Sequence, residues 1–361
     1  MISSQTIRLD SQALKIKEHM TVRDKLKGMV WNLAYVSGLL GLLEGIKKTP
    51  DHRGLIFYYH RVHPHPGWDP LGLNIFPSLF YRQVKLLKKK IPLISLKEYI
   101  QEDGHSPRGF SRIPRGVITF DDGYRDCWVY AWPILRDFSV SPTFFVCTDP
   151  LFKKRPLIYD RLIPFVQREG GKDRMIKGLK GPDQLFRMGT PRERAFFVQE
   201  ATRFLMTSSG PDQEIFLKQF VIPPEEEFAN SPPMDLYLSA EEVKKAQSEG
   251  IDIGSHTASH PNLSRLPREK WEEEIKGSKE ELEILLGSTV NFFSYPAGEY
   301  TGEIAAYVRE VGYLRALTTG KKAVLGSIVD SYALPRISPE GITSLGKFYA
   351  LVVGIRPDWF K

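Results

Sequence analysis

Strand-like runs that end in polar loops, each followed by a helix-like stretch, recur along most of this chain. "LIFYYHRV" (55–62), "VITFDDGYRD" (117–126), "SPTFFVCT" (141–148), "IDIGSHTASHPNLSRL" (251–266) and "VNFFSYPAGEY" (290–300) have the β-branched and aromatic chemistry of buried strands. Between them, "CWVYAWPILRDF", "SAEEVKKAQSEG", "PREKWEEEIKGSKEELEILLG" and "TGEIAAYVREVGY" read as helices, the second opening on Ser239 as N-cap and closing at Gly250. Strand, loop, helix, strand is the rhythm of a parallel sheet or barrel. The 361 residues suffice for one large α/β domain with insertions, or for two domains.

The rhythm breaks from about 150 to 235, where Lys, Arg, Glu and Pro dominate, as in "PFVQREGGKDRMIKGLKGPDQ" and "VIPPEEEFANSPP". This predicts a mainly helical insertion, a candidate lid, whose charge run is most simply a solvated face. The expected organisation is an N-terminal extension (1–50), a catalytic barrel (51–345) carrying that insertion, and a C-terminal helix or tail (346–361).

Residues 25–48, "KLKGMVWNLAYVSGLLGLLEGIKK", form the apolar core of the extension. Asn32, Ser37 and Glu44 interrupt it, and it falls short of the ~20 apolar residues a spanning helix needs. A helix lying on a membrane surface and a helix packed on the protein's own core both fit. The first twenty residues lack the basic-then-apolar layout of a signal peptide, and two cysteines, Cys127 and Cys147, are too few for a disulfide framework. Buried free thiols and a cytoplasmic location, at the inner face of the membrane if residues 25–48 touch lipid, are the resulting expectations. A net charge of +7 suits an anionic surface or glycan, but no zinc-finger spacing, RNP-type run or dense basic helix supports nucleic-acid binding. Nothing in the sequence fixes the oligomeric state.

Chemistry concentrates at two strand ends. Asp121 and Asp122 follow "VITF", where adjacent carboxylates repel unless something compensates them. His256 and His260, four apart in a polar loop, have spacing that brings two imidazoles to one divalent ion. Two histidines and one carboxylate make a three-ligand site with an open position, the pattern of catalytic metal centres. With Asp122 as ligand, Asp121 is left free as a base, and the cation's charge relieves the repulsion. The bland reading of the acid pair is a helix N-cap with a first-turn acid. His60, inside "FYYHRV", is by itself an ordinary core histidine.

"TFDDG", "SHTASHP" and "FSYPAG", in that order, resemble the first three motifs of the NodB-homology polysaccharide deacetylases, carbohydrate esterase family four. The resemblance covers about residues 55–340 apart from the insertion. It implies a distorted (β/α) barrel of α/β class with the site at the C-terminal ends of the strands. It also implies Asp121 as general base and Asp122, His256 and His260 as ligands of one divalent ion, zinc first, with nickel or cobalt as alternatives. Two departures stand out. Ser294 occupies the place of the arginine that usually opens the third motif, and no histidine follows His260. Both features are similar to the poly-N-acetylglucosamine deacetylase subgroup, in which an N-terminal "YH" strand supplies the histidine; this makes His60 the candidate general acid. Arg336, in "LPRISPEG", is the candidate replacement for the missing arginine, with a surface salt bridge as its alternative. Tyr124 and Tyr295, with Trp128 and Tyr300 nearby, are candidates for the floor beneath a sugar ring.

The function this implies is removal of N-acetyl groups from N-acetylhexosamine units of a polysaccharide or lipid-linked glycan. An O-deacetylase or deformylase using the same site, and a non-catalytic glycan-binding relative, are the alternatives.

Overall fold

In the computed structural model, residues 22–46, 54–65, 67–105, 115–168, 171, 173–176, 184–208, 210–219, 236–319 and 331–355 are described. Much of the loop 106–116 and all of "VIPPEEEFANSPP" lie outside them.

Seven parallel strands stand in chain order: β1 (Leu55–Tyr59), β2 (Gly116–Phe120), β3 (Thr143–Val146), β4 (Asp252–Ser255), β5 (Phe292–Ser294), β6 (Arg315–Thr319) and β7 (Leu334–Arg336). The ring nearly closes. Just past β7, Ile337 bridges to β1, its amide donating to the Ile56 carbonyl at 2.8 Å and its carbonyl accepting from the Tyr58 amide at 3.0 Å. The thinnest seam is β4–β5, where one residue pair, Ser255 with Phe293, carries the ladder. This is the (β/α) barrel expected from the strand–helix rhythm.

The strands are buried on both sides, which is why β2 and β3 read as continuous apolar runs and not as alternating ones. Inside the barrel, Ile56, Val117, Phe145, Phe292, Leu317 and Leu334 form one apolar layer, floored by Leu96 and Tyr99. The outward side chains, among them Phe57, Tyr59, Ile118 and Phe120, join the larger cluster under the helices. Gly254 in β4 leaves room for Phe145: a Cβ there would stand 2.5 Å from its ring carbons.

The insertion has its own apolar cluster, centred on Leu162, Phe165, Phe197, Val198 and Phe204. It contains the helices Ile158–Arg168, Pro191–Thr207 and Gly210–Leu217, the second opened by a capping box between Thr190 and Glu193. It also contains an antiparallel hairpin, Arg174–Ile176 with Gln184–Phe186, that charge composition did not reveal. At the other end of the chain, the helices Val22–Val36 and Leu39–Ile46 pack against the helix Leu345–Val352. Both cysteines are buried and free.

Candidate active site

Backbone pairing alone brings the motif residues together. The Asp121 amide continues the β1–β2 ladder by donating to the Tyr59 carbonyl at 2.9 Å, which sets His60 beside the acid pair. The His256 amide likewise donates to the Val146 carbonyl at 3.0 Å, extending β3–β4 by one step. Ser294 ends β5 and Arg336 ends β7. All of these stand at the C-terminal mouth of the barrel, where such folds carry their chemistry.

Asp122, His256 and His260 turn one ligand atom each toward a common point, all within 4.8 Å of one another. Asp122 Oδ1 lies 3.5 Å from His256 Nε2 and 3.4 Å from His260 Nε2. Hydrogen bonds fix His256 and Asp122 from behind, whereas His260 Nδ1 is buried without a hydrogen-bond partner. His256 Nδ1 donates to the Ser294 carbonyl at 2.7 Å, so its Nε2 carries the lone pair. Tyr159, from the insertion, donates its hydroxyl to Asp122 Oδ2 at 2.8 Å and stands edge-on to His260. Asp122 Oδ1 is then left buried without a hydrogen-bond partner. An orphaned carboxylate oxygen facing two imidazole nitrogens is a donor set that fits a divalent cation. Burial holds both histidines down at about 4, so each is neutral and able to ligate near pH 7. Burial pushes the Asp122 carboxyl up, against the pull of the histidines around it.

The loop carrying the histidines is strained and braced. Asp122, Thr257 and His260 have positive φ (71°, 68° and 63°), costing on the order of 1–3 kcal/mol each for a non-glycine residue. The Glu274 carboxylate accepts from the Ala258 and Ser259 amides at 3.0 and 2.9 Å and from the Ser259 hydroxyl at 2.6 Å. The Thr257 hydroxyl accepts from the His260 amide at 3.0 Å.

Asp121 does not share the ligand point. Its two oxygens accept from Arg336 Nη1 and Nη2, both at 2.7 Å, a bidentate pair buried in the barrel. Arg336 also donates to Ser294 Oγ at 2.7 Å and Thr119 Oγ1 at 3.1 Å, and its guanidinium lies over the rings of Tyr58 and Phe145. Arg336 is therefore no surface salt bridge. Burial alone would raise the Asp121 carboxyl, but the guanidinium outweighs it and holds the group at about 2.

His60 donates from Nδ1 to Glu340 Oε2 at 2.8 Å, and its amide donates to Glu340 Oε1 at 2.5 Å. Burial opposes a charge on the ring, yet the Glu340 carboxylate, with Asp122 and Asp121 beyond it, raises His60 to about 10. At neutral pH the imidazole is a cation, with Nε2 left to give a proton.

Comparison with known proteins reaches part of this constellation. The sequence profile of the family described as polysaccharide deacetylase matches residues 199–316, which include both metal-site histidines and Ser294. That match is confined to residues 199–316, a minority of the 361-residue chain. A Bacillus subtilis (strain 168) protein named as a polysaccharide deacetylase, YxkH, is 30% identical over 83 residues, a stretch that is 23% of this chain and 30% of that relative. The match thus spans under a third of the relative's length. The polysaccharide deacetylase BC0361 from Bacillus cereus shares the fold at a TM-score of 0.51 and 18% identity, covering 83% of this chain and 68% of that one. The Streptococcus pyogenes deacetylase PplD aligns at 0.51 and 17% identity, over 84% and 98% of the two chains. IcaB from Ammonifex degensii aligns at 0.51 and 15%, over 83% and 98%.

Two expected residues stand elsewhere than the sequence suggested. Tyr124 and Tyr295 are fully buried and cannot offer a ring face to a sugar. The Tyr124 hydroxyl donates to Asp160 and its ring stacks on Tyr237. The Tyr295 hydroxyl donates to the Tyr332 carbonyl, and its ring is covered by Tyr300, which is itself exposed. Nearness to the motifs suggested function for both, whereas the apolar space beneath claimed the rings. Conversely, Glu340, Tyr159 and Glu274 were not anticipated. Glu340 had a weak signal, an acid in the polar turn "SPEG" just after a strand. Tyr159, 37 residues from its partner and inside the insertion, had none.

Proposed function

We propose that this protein is a metal-dependent hydrolase that removes N-acetyl groups from N-acetylhexosamine units of a glycan. The observation that carries this reading is the division of labour between two adjacent aspartates. Asp122 faces two histidines with an unpaired oxygen, while Asp121 is turned away and clamped by Arg336. A pure binding protein needs the first arrangement but has no use for the second.

Asp122, His256 and His260 would hold a divalent cation, which would supply Lewis acidity toward water and an acyl carbonyl. Arg336 keeps Asp121 ionised and fixed, so the carboxylate accepts the proton of the attacking water. The same clamp makes Asp121 a weak base, which suits a water already acidified. The charged His60, oriented by Glu340, gives its Nε2 proton to the departing sugar nitrogen. An amine leaving group requires that proton, whereas an alcohol needs it less. The preformed His60–Glu340 pair therefore favours the amide over the ester as substrate.

The test is acetate release from a panel of N-acetylated and O-acetylated oligosaccharides, with metal content measured on the same protein. Asp121→Asn should lower turnover by about 10²–10⁴-fold while the metal is retained. Acetate from O-acetyl sugars alone would move the chain to the esterases. No acetate from any substrate by metal-loaded protein would refute the hydrolase.

A further inference from the structure

The helix Val22–Val36 is apolar on two opposite faces, and the protein covers one of them. On the covered side, Trp31 is buried, and its carbonyl lies where a Cβ on Gly346 would be, so the two helices touch backbone to backbone. The Ser344 hydroxyl donates to Asn32 Oδ1 at 2.9 Å, and the Gly346 amide donates to the same oxygen at 3.1 Å. Tyr35 meets the Tyr349 ring at 5.0 Å. The helix is thus fixed to the barrel by packing and hydrogen bonds, with its orientation set.

The other side is bare. Leu26, Met29, Val30, Leu33 and Val36 recur at i, i+3, i+4, i+7 and i+10, one stripe of a helix, and each is exposed, Leu33 to 67% and Val36 to 82%. Leu39 and Leu42 of the next helix continue the patch. Single exposed leucines are ordinary, but seven large apolar residues within seventeen positions are not.

The surroundings are basic. The helix Pro77–Lys90 ends in Lys88, Lys89 and Lys90 and packs against the helix Leu345–Val352 that holds the patch. Lys90 Nζ lies 4.7 Å from the centre of the Tyr349 ring that also meets Tyr35, while Lys88 and Lys89 are exposed. In sequence, Lys25 precedes the stripe, Lys27 lies between its first two residues, Lys47 and Lys48 follow it, and the whole chain carries +7. Among the described residues no helix is long and apolar enough to cross a bilayer.

We propose that this two-helix face is a docking surface for a membrane bearing anionic lipid, with the apolar stripe entering the headgroup boundary and the flanking lysines meeting lipid phosphates. A second copy of the chain is the weaker occupant. A two-fold contact would press like-charged lysine clusters together, whereas an anionic surface is attracted by them. The inference is independent of the reaction, because it concerns residues outside the barrel mouth.

The experiment is co-sedimentation of the full chain with vesicles of phosphatidylcholine, alone or mixed with phosphatidylglycerol. Wild type is expected to bind the mixed vesicles, with salt weakening the binding. Leu33→Glu with Val36→Glu, both exposed positions, should lower partitioning at least tenfold while leaving acetate release from soluble oligosaccharide and the circular dichroism spectrum unchanged. Lys88→Glu with Lys89→Glu should weaken binding to the mixed vesicles by about fivefold or more per lysine. Failure of the wild type to sediment with mixed vesicles overturns the proposal. So does a concentration-dependent dimer that Leu33→Glu with Val36→Glu abolishes in protein that ignores vesicles. Neither result touches the deacetylase reading, which is judged by acetate alone.

Discussion

Asp121 and Asp122 are neighbours in sequence with opposite surroundings, and the side chains behind them make the difference. The positive φ at Asp122 turns the backbone so that one carboxylate looks across to the histidines and the other back into the barrel, at Arg336. The same logic sets His60 and Glu340. On the proposed reading, in which His60 acts in its charged form, activity should hold while pH rises toward its pKa and fall once the proton is lost. Its pKa is raised to about 10 chiefly by the Glu340 carboxylate set against the cost of burial. Glu340→Gln keeps the shape but removes the charge and turns one of the two acceptor oxygens into an NH2 donor, so the alkaline limb of kcat/KM should move to lower pH by a unit or more. The metal content should stay constant. An unmoved limb would show that another group gives the proton. Glu340 was hard to find in the sequence for a plain reason: its partner is 280 residues away.

At the scale of elements, the barrel was legible because burial on both faces forces continuous apolar strands, and each polar loop marks where a strand reaches the mouth. The candidate ligand set was legible too, since HxxxH and the acid pair each lie within a few residues. Less legible were features made by distant pairings: closure through Ile337, the hairpin in the insertion, and Arg336 reaching from β7 to Asp121 and Ser294. Tyr124 and Tyr295 show the limit of the same approach, because a loop residue and a core residue look alike until the layer beneath is known. The interior layer also yields a prediction. Gly254→Ala would put a methyl 2.5 Å from the ring of Phe145, a member of that apolar layer. Overpacking of this kind typically costs about 1–3 kcal/mol. Denaturant unfolding should show that loss, and because β4 also carries His256 at its end, metal affinity should fall with it. A stability unchanged within error would mean that Phe145 has another place to go.

For the molecule as a whole, the proposed metal site would set a cation and protons in competition for the same two imidazoles. His256 and His260 are held by burial near 4, below the ordinary imidazole value of about 6.5. Above pH 6.5 they are neutral in both the folded and unfolded chains and cost nothing. Between 6.5 and 4 the unfolded chain binds protons that the folded one refuses, so the metal-free protein loses stability across that window. A cation prefers the same neutral rings, so adding zinc at pH 7 should raise the melting temperature, by about 2.7 kcal/mol of stability at a free ion concentration of 100 Kd. Acidification brings protons into competition for the imidazoles, and the zinc increment should shrink as pH falls toward 4. Melting curves with zinc and with chelator at pH 7, 6 and 5 therefore have a required shape, a gap that is widest at pH 7 and closes downward. His256→Ala with His260→Ala should erase the gap at every pH while relieving the acid sensitivity of the metal-free form. A gap that persisted in that double variant would place the ion outside the Asp122, His256 and His260 triad.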